Sequence, residues 1–225
     1  MVSNRGTVGG LAQRTGAGHF YKPFTKRGVI AQYGAFFSED GWFDQQPDAV
    51  RAITGMFPIA STATFNYWGN DALMANMTTL LTNAKAKLFA NAPVHLLGIS
   101  AGGLSCLNWA KNNPTLVKSI SLVIPVINVQ GVWDEDRVGA KFLVDAAYGG
   151  RPPDDHNPLD YAASLPDVPI RLYCSENDPY TTFIESIDFA ALAGAEAISM
   201  GPIGHAVGAP WGGEAVALFM RANDV

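Results

Sequence analysis

The sequence predicts an α/β protein: a largely parallel central sheet, helices on both faces and a small cap insertion. Three observations carry this reading. Short apolar or β-branched runs alternate with stretches of helical length from residue 27 to the last helix. Parallel strands need crossovers of that kind, and the helices then cover both faces of the sheet. Residues 126–165 break the alternation and return through the turn-rich GGRPPDDHNP, too long for a plain connection. A chain of 225 residues, 48% of them hydrophobic, fits a single domain over 1–225 with a sizeable core.

In chain order, residues 1–25 are rich in Gly, Thr and Arg and lack apolar periodicity. They read as an irregular arm with room for a short edge hairpin. RGVIAQY at 27–33 is the first strand, and the loop that follows gathers Phe36, Phe37, Trp42 and Phe43. That loop suits either the wall of a pocket or a support under the cap. Asp48–Phe57 reads as a modest helix with Pro47 at its first turn. STATFNYW at 61–68 is β-branched and aromatic, hence strand. Asn70 or Asp71 caps a helix to about Ala90, with Leu73, Met77, Leu80, Leu81, Ala84 and Leu88 on its apolar face. Val94–Ile99 is a buried strand, Gly103–Asn112 a helix and Lys118–Pro125 another buried strand. The insertion carries a helix near Gly139–Ala147. Strands at Pro169–Cys174 and Ala195–Met200 flank a helix at Thr181–Ala193, and Gly213–Ala222 closes the chain as a helix.

Composition narrows the function classes. The net charge is −5, the sequence pI is near 5.3, and no basic stripe is present, so nucleic acid is not an expected partner. No run reaches membrane-spanning length, and the N-terminal residues lack a signal-peptide core. The expected location is the cytoplasm or another soluble compartment. Cys106 and Cys174 read as reduced core thiols. No Cys/His cluster has metal-ligand spacing, and no phosphate-cradling or dinucleotide glycine motif is present, so neither metal nor cofactor is expected.

The chemistry concentrates at Gly98-Ile99-Ser100-Ala101-Gly102, which matches G-x-S-x-G. A strand precedes it and a helix follows. A sharp bend there lifts the serine hydroxyl out of the sheet top, and small residues on either side let strand and helix pass closely. The start of the helix offers free N–H groups toward developing negative charge. In open α/β sheets, catalytic partners gather on loops at the C-terminal ends of later strands. IRLYC is followed by SENDP, which offers Asp178 as an acid and Glu176 as its rival. A turn-forming or capping Asp before Pro is the plain alternative. The last strand is followed by GPIGHAVG, which sets His205 between Gly204 and Gly208. His95 falls inside a strand and reads as a core residue, His156 lies in the insertion and reads as a surface residue, and His19 lies in the arm. Only His205 completes the chain order Ser…Asp…His.

On GISAG at 98–102, SENDP at 175–179 and GPIGH at 201–205, the chain resembles the α/β-hydrolase superfamily over roughly residues 27–222. The resemblance implies a serine esterase or lipase-like hydrolase with the triad Ser100, Asp178 and His205. It implies an oxyanion hole built from the Ala101 and Ala35 backbone N–H groups, with Phe36 as the substitute for Ala35. Tyr33-Gly34 stands where the superfamily often carries His-Gly, a change the backbone donor tolerates. The expected reaction is cleavage of a small-molecule or lipid-like carboxylic ester through an acyl-enzyme. Thioesterase, amidase and peptidase activity remain open, as does a non-catalytic binding role. Phe36 and Trp133 are the expected substrate contacts. The apolar residues of the insertion cover either the elbow mouth or the side of the sheet.

Overall fold

A strand that is apolar on both sides has to lie between two layers. The run Val94–Ile99 is one: all six residues are buried, with Leu96 facing one apolar cluster and Leu97 and Ile99 facing the other. In a computed structural model this run is central to a single sheet. Described are residues 5–8, 11–14, 27–35, 45–62, 67–87, 93–206 and 211–224.

The strands are β1 (Arg5–Val8), β2 (Leu11–Arg14), β3 (Val29–Gln32), β4 (Ile59–Ser61), β5 (Val94–Ile99), β6 (Val117–Val123), β7 (Ile170–Cys174) and β8 (Glu196–Ser199). They lie in the order β1-β2-β4-β3-β5-β6-β7-β8. Six of them, β4 through β8 in that spatial order, pair in parallel. β1 and β2 form an antiparallel edge hairpin added to β4, so the lead-in arm does contribute to the sheet.

The helices are α1 (Pro47–Thr54), α2 (Asp71–Lys87), α3 (Ala101–Asn112), α4 (Val129–Asp134), α5 (Lys141–Tyr148), α6 (Pro158–Tyr161), α7 (Phe183–Ala193) and α8 (Gly213–Ala222). On one face, Met77 and Leu80 of α2, Leu107 and Trp109 of α3 and Phe189 of α7 pack on Leu96, Ile120 and Leu172. On the other, Ile53 of α1 and Val216 and Met220 of α8 pack on Val29, Leu97 and Tyr173. Both faces are covered, as the alternating pattern requires.

Two expectations are corrected. The strand expected over 61–68 is β4, Ile59–Ser61. Its ladder partner β3 is four residues long, and the register runs only from Val29↔Ile59 to Ala31↔Ser61. Residues 63–66 of that stretch lie outside the described residues, and Tyr67 and Trp68 lie in a turn in which Trp68 and Gly69 take φ values of +44° and +70°. The insertion, expected to hold one helix, holds α4, α5 and α6 joined by short 3₁₀ turns. α4 and α6 are too short to show a helical period in the sequence. The Asn128 side chain caps α4 by accepting from the Gly131 N–H at 2.9 Å. Val129 and Val132 of α4 and Val144 of α5 join Trp68, Ala101 and Leu104 in a third apolar cluster. The insertion thus packs on the Trp68 turn and the start of α3, while Phe142 is 68% exposed. Among the described residues, no helix is long and apolar enough to cross a membrane.

Candidate active site

Ser100 sits between β5 and α3 with φ +55° and ψ −127°. A non-glycine residue there is strained and persists only where the surroundings hold it. The holding is visible. The Ser100 N–H donates to the Val123 carbonyl at 3.0 Å, and its own carbonyl accepts from Gly103 and Val126 at 2.9 and 3.1 Å. The crossing is also too tight for side chains. A Cβ on Gly98 would stand 2.6 Å from the Gly102 carbonyl oxygen, and one on Gly102 would stand 2.1 Å from the Gln32 carbonyl oxygen. The two glycines of the motif are therefore required by contact.

The three residues expected from the sequence meet. His205 Nε2 lies 2.7 Å from Ser100 Oγ, and His205 Nδ1 lies 2.8 Å from Asp178 Oδ2. A carboxylate only accepts, so Nδ1 carries its proton and Nε2 presents a lone pair to the Ser100 hydroxyl. The Asp178 side chain is 3% exposed. Its second oxygen accepts from the Tyr180 and Thr181 N–H groups at 2.8 and 3.3 Å, which fixes the plane of the carboxylate. The rival acid, Glu176, is exposed and accepts from the Ser199 hydroxyl at 2.7 Å.

Sequence reasoning missed the residues that join the acid loop to the histidine loop. Asn177 Oδ1 accepts from the Gly204 N–H at 2.6 Å and from the Ser175 hydroxyl at 3.0 Å, and the Ile203 N–H donates to Ser175 Oγ at 3.2 Å. The signal was in SENDP itself, where short polar side chains precede the acid. Tyr180 was also missed; its ring lies 4.4 Å from the imidazole, centroid to centroid.

A cavity of about 360 Å³ opens over Ser100 and His205, with Tyr33, Ala35, Gln46, Trp68 and Tyr180 on its walls. Ala35 follows β3 on the same sheet edge, and Ala101 opens α3, where the first N–H groups lack an intrahelical acceptor. Gly34 lies against the serine: a Cβ there would be 3.4 Å from Ser100 Cβ. Phe36, and with it the Phe36–Phe43 loop, lies outside the described residues, as do Gly208 and His19. Trp133, expected to contact substrate, is not in the cavity lining. Its indole N–H donates to Asp145 and the Lys141 ammonium stands over its ring, which holds it on the α4–α5 face.

His95 is fully buried in β5, with Nδ1 2.8 Å from Ser119 Oγ and Nε2 3.4 Å from Asp224 Oδ1. Burial pushes its pKa down to about 4 against the opposing pull of Asp224. His156, expected at the surface, is buried against the Tyr148 ring. Both cysteines are free and buried, and burial raises their pKa values, that of Cys174 to about 11, so neither is an activated thiol. Among the described residues, no three His, Cys, Asp or Glu side chains gather closely enough to hold a metal ion.

No family model matches the sequence, and no curated protein matches it. Solved structures do. FphF, a fluorophosphonate-binding serine hydrolase of Staphylococcus aureus, superposes with a TM-score of 0.72 at 12% identity, over 100% of this chain and 98% of that one. A truncated carbohydrate esterase from gut microbiota gives 0.74 at 12% identity, over 95% of this chain and 90% of that one. Esterase B of Lactobacillus rhamnosis gives 0.68 at 17% identity, over 95% and 79%. The chain has the α/β-hydrolase fold.

Proposed function

We propose that this protein is a serine hydrolase that cleaves carboxylic esters. The observation that carries the reading is the unbroken line from Asp178 through His205 to Ser100 Oγ, with both links under 3 Å. In this reading Ser100 Oγ attacks the acyl carbon while His205 Nε2 takes its proton. Asp178 holds the imidazole in the required tautomer and stabilises the imidazolium. The Ala101 and Ala35 N–H groups bind the oxyanion, usually the largest electrostatic contribution. His205 then returns the proton to the leaving alkoxide, and the acyl group rests on Ser100. Water, deprotonated by His205, attacks the acyl-enzyme. The carboxylic acid leaves and Ser100 recovers its proton.

The fold does not choose among esters, thioesters and amides. Esters come ahead of amides because a protonated alkoxide leaves more readily than an amine, and ahead of thioesters because esterases are among the solved structures that share the fold. A non-catalytic role is countered by the strain at Ser100, which a binding protein has no reason to keep. Labelling with a fluorophosphonate, read by intact mass, tests the reading. Wild type is expected to gain one adduct on Ser100 and to hydrolyse p-nitrophenyl acetate. Ser100→Ala is expected to do neither, with turnover down by about a million-fold. Undiminished hydrolysis by Ser100→Ala would sink the proposal.

A further inference from the structure

The acid loop and the histidine loop meet in two neighbouring hydrogen bonds, of which only one belongs to the triad. Asp178 Oδ2 holds His205 Nδ1 at 2.8 Å, and one residue earlier on both loops Asn177 Oδ1 accepts from the Gly204 N–H at 2.6 Å. A histidine that serves Ser100 has to keep Nε2 and Nδ1 on two partners at once. The backbone that carries it therefore has to be fixed.

Glycine makes that backbone hard to fix. Gly201 and Gly204 take φ values of +76° and +68°, and glycine has the most conformational freedom to lose. Packing does not hold them: among the described residues, a Cβ on either one would meet nothing within 4 Å. Hydrogen bonds from the acid loop do. The Gly201 carbonyl accepts from the Glu176 N–H at 3.0 Å, and Ser175 Oγ accepts from the Ile203 N–H at 3.2 Å. Asn177 takes the next N–H, the last one before His205.

The Asn177 side chain is committed to this contact. The usual local partner of an Asn oxygen is the N–H two residues on. Here that residue is Pro179, which has none. Asp178, one position later, does make the local bond, with Oδ1 accepting from the Tyr180 N–H at 2.8 Å. The hydroxyl of buried Ser175 also donates to Asn177 Oδ1, at 3.0 Å. Two donors converging on one atom orient the amide with its oxygen toward the histidine loop.

We infer that Asn177 is a positioning residue for His205. It touches neither substrate nor reacting atoms. By holding the Gly204 N–H it sets the backbone from which the imidazole reaches Asp178 and Ser100 together. The inference rests on the reading of Ser100, His205 and Asp178 as an ester-cleaving triad.

The test compares Asn177→Ala, which removes the acceptor, with Asn177→Asp, which keeps one at the same reach. Asn177 is exposed, so truncation opens no cavity; Asn177→Ser, with its oxygen one bond shorter, is the second deletion variant should Asn177→Ala not fold. On p-nitrophenyl acetate, Asn177→Ala is expected to lose about three- to ten-fold in kcat, the scale of one hydrogen bond. Its KM is expected to stay within about two-fold of wild type, because His205 serves acylation and deacylation alike. Asn177→Asp is expected to recover most of the loss. Wild-type kcat in Asn177→Ala, or no recovery in Asn177→Asp, would overturn the inference.

A second readout does not need turnover. In protein labelled with ¹⁵N in its histidine and tryptophan rings, the His205 Nδ1–H resonance is identified by its loss in His205→Gln. Its exchange with water is compared with that of the Trp109 indole N–H, which donates to Thr78 in the core and reports global opening. Asn177→Ala is expected to speed exchange of the His205 proton by at least about three-fold, on the same hydrogen-bond scale, and to leave the Trp109 proton at its wild-type rate. A purely structural role would speed both. Equal acceleration of both protons, acceleration of neither, or no retained Nδ1 proton in wild type overturns the inference. Fluorophosphonate labelling of wild type separates the two failures. A labelled, active enzyme in which Asn177→Ala keeps its kcat and its Nδ1 proton loses only the Asn177 inference. An unlabelled, inactive protein loses the ester-cleaving reading, and proton exchange then decides the role of Asn177 by itself.

Discussion

At Ser100 the chain accepts a left-handed backbone for a residue with a Cβ, and the close packing of Gly98 and Gly102 leaves no easy relaxation. The hydroxyl is thereby aimed at His205, whose other nitrogen is held by Asp178. Two carboxylates, Glu176 and Asp178, follow β7 within four residues, and their surroundings separate them. Asp178 is buried with its second oxygen held by two N–H groups, whereas Glu176 is exposed and spends an oxygen on Ser199. Asp178→Asn is expected to lower kcat on p-nitrophenyl acetate by about ten-thousand-fold, because an amide cannot hold the same imidazole tautomer. Glu176→Gln is expected to stay within about three-fold of wild type, since an exposed side chain remote from the imidazole has little to contribute. The reverse ranking in steady-state kinetics would mean that the acid is misassigned.

At the scale of elements, the insertion is tied to the acid loop by one guanidinium. Arg137, between α4 and α5, donates to the Tyr180 carbonyl at 2.9 Å and to both oxygens of Glu185 at 2.8 Å. Glu185 closes the capping box of α7 with Thr182. Burial pulls the Glu185 carboxyl up, but Arg137, Asn128 and the Thr182 N–H together hold it below its ordinary value. The backbone around Arg137 is strained as well, with Asp136 and Val138 at φ +48° and +49°. Arg137→Met removes the fork and leaves a half-buried carboxylate with fewer donors, at a cost of about 3 kcal/mol. The expected result is a lower urea midpoint with an unchanged m-value, and a fall in kcat as the loop carrying Asp178 loosens. Arg137→Lys is expected to recover less than half of the midpoint loss, because an ammonium cannot reproduce the bidentate geometry. A wild-type midpoint in Arg137→Met would show that the strut carries no stability.

At the scale of the molecule, the end of the sheet opposite Ser100 is closed by groups far apart in sequence. Arg27, just before β3, donates to the carboxylate and the carbonyl of Asp224, which follows α8, and the same carboxylate faces His95 of β5. The folded state holds His95 with a pKa of about 4, against 6.5 as the ordinary value. Between those two values the unfolded chain binds the extra proton, so stability rises with pH across that window and is lost as pH falls through it. The shift is worth about 3 kcal/mol, fully present above pH 6.5. His95→Gln has no such proton to bind. Its unfolding free energy, measured by urea titration at pH 4, 5, 6 and 7, is expected to fall less steeply toward acid than that of wild type. Equal slopes would show that His95 does not drive the acid sensitivity.

The sequence by itself determined the strands and helices that depend on local pattern, and the motif that makes Ser100 the candidate nucleophile. β5 and α8 fall where apolar run and helical period place them, because burial on both faces writes a continuous apolar run and an amphipathic helix writes its own period. The motif at Ser100 was legible because the tight crossing admits only glycine, and Asp178 and His205 were legible because loops at the ends of parallel strands share one edge. What the tertiary structure decided depends on partners distant in the chain. β4 pairs with β3 only as far as Ala31↔Ser61, and Trp68 lies in a turn and on a wall of the cavity. Trp133, the aromatic of the insertion expected to contact substrate, is instead held by Asp145 and Lys141. Asn177 and Arg137 became braces only when two loops and an insertion met. Hydrophobic pattern specifies which face of an element is buried; which polar groups then find each other across the packed surfaces is fixed by the packing itself.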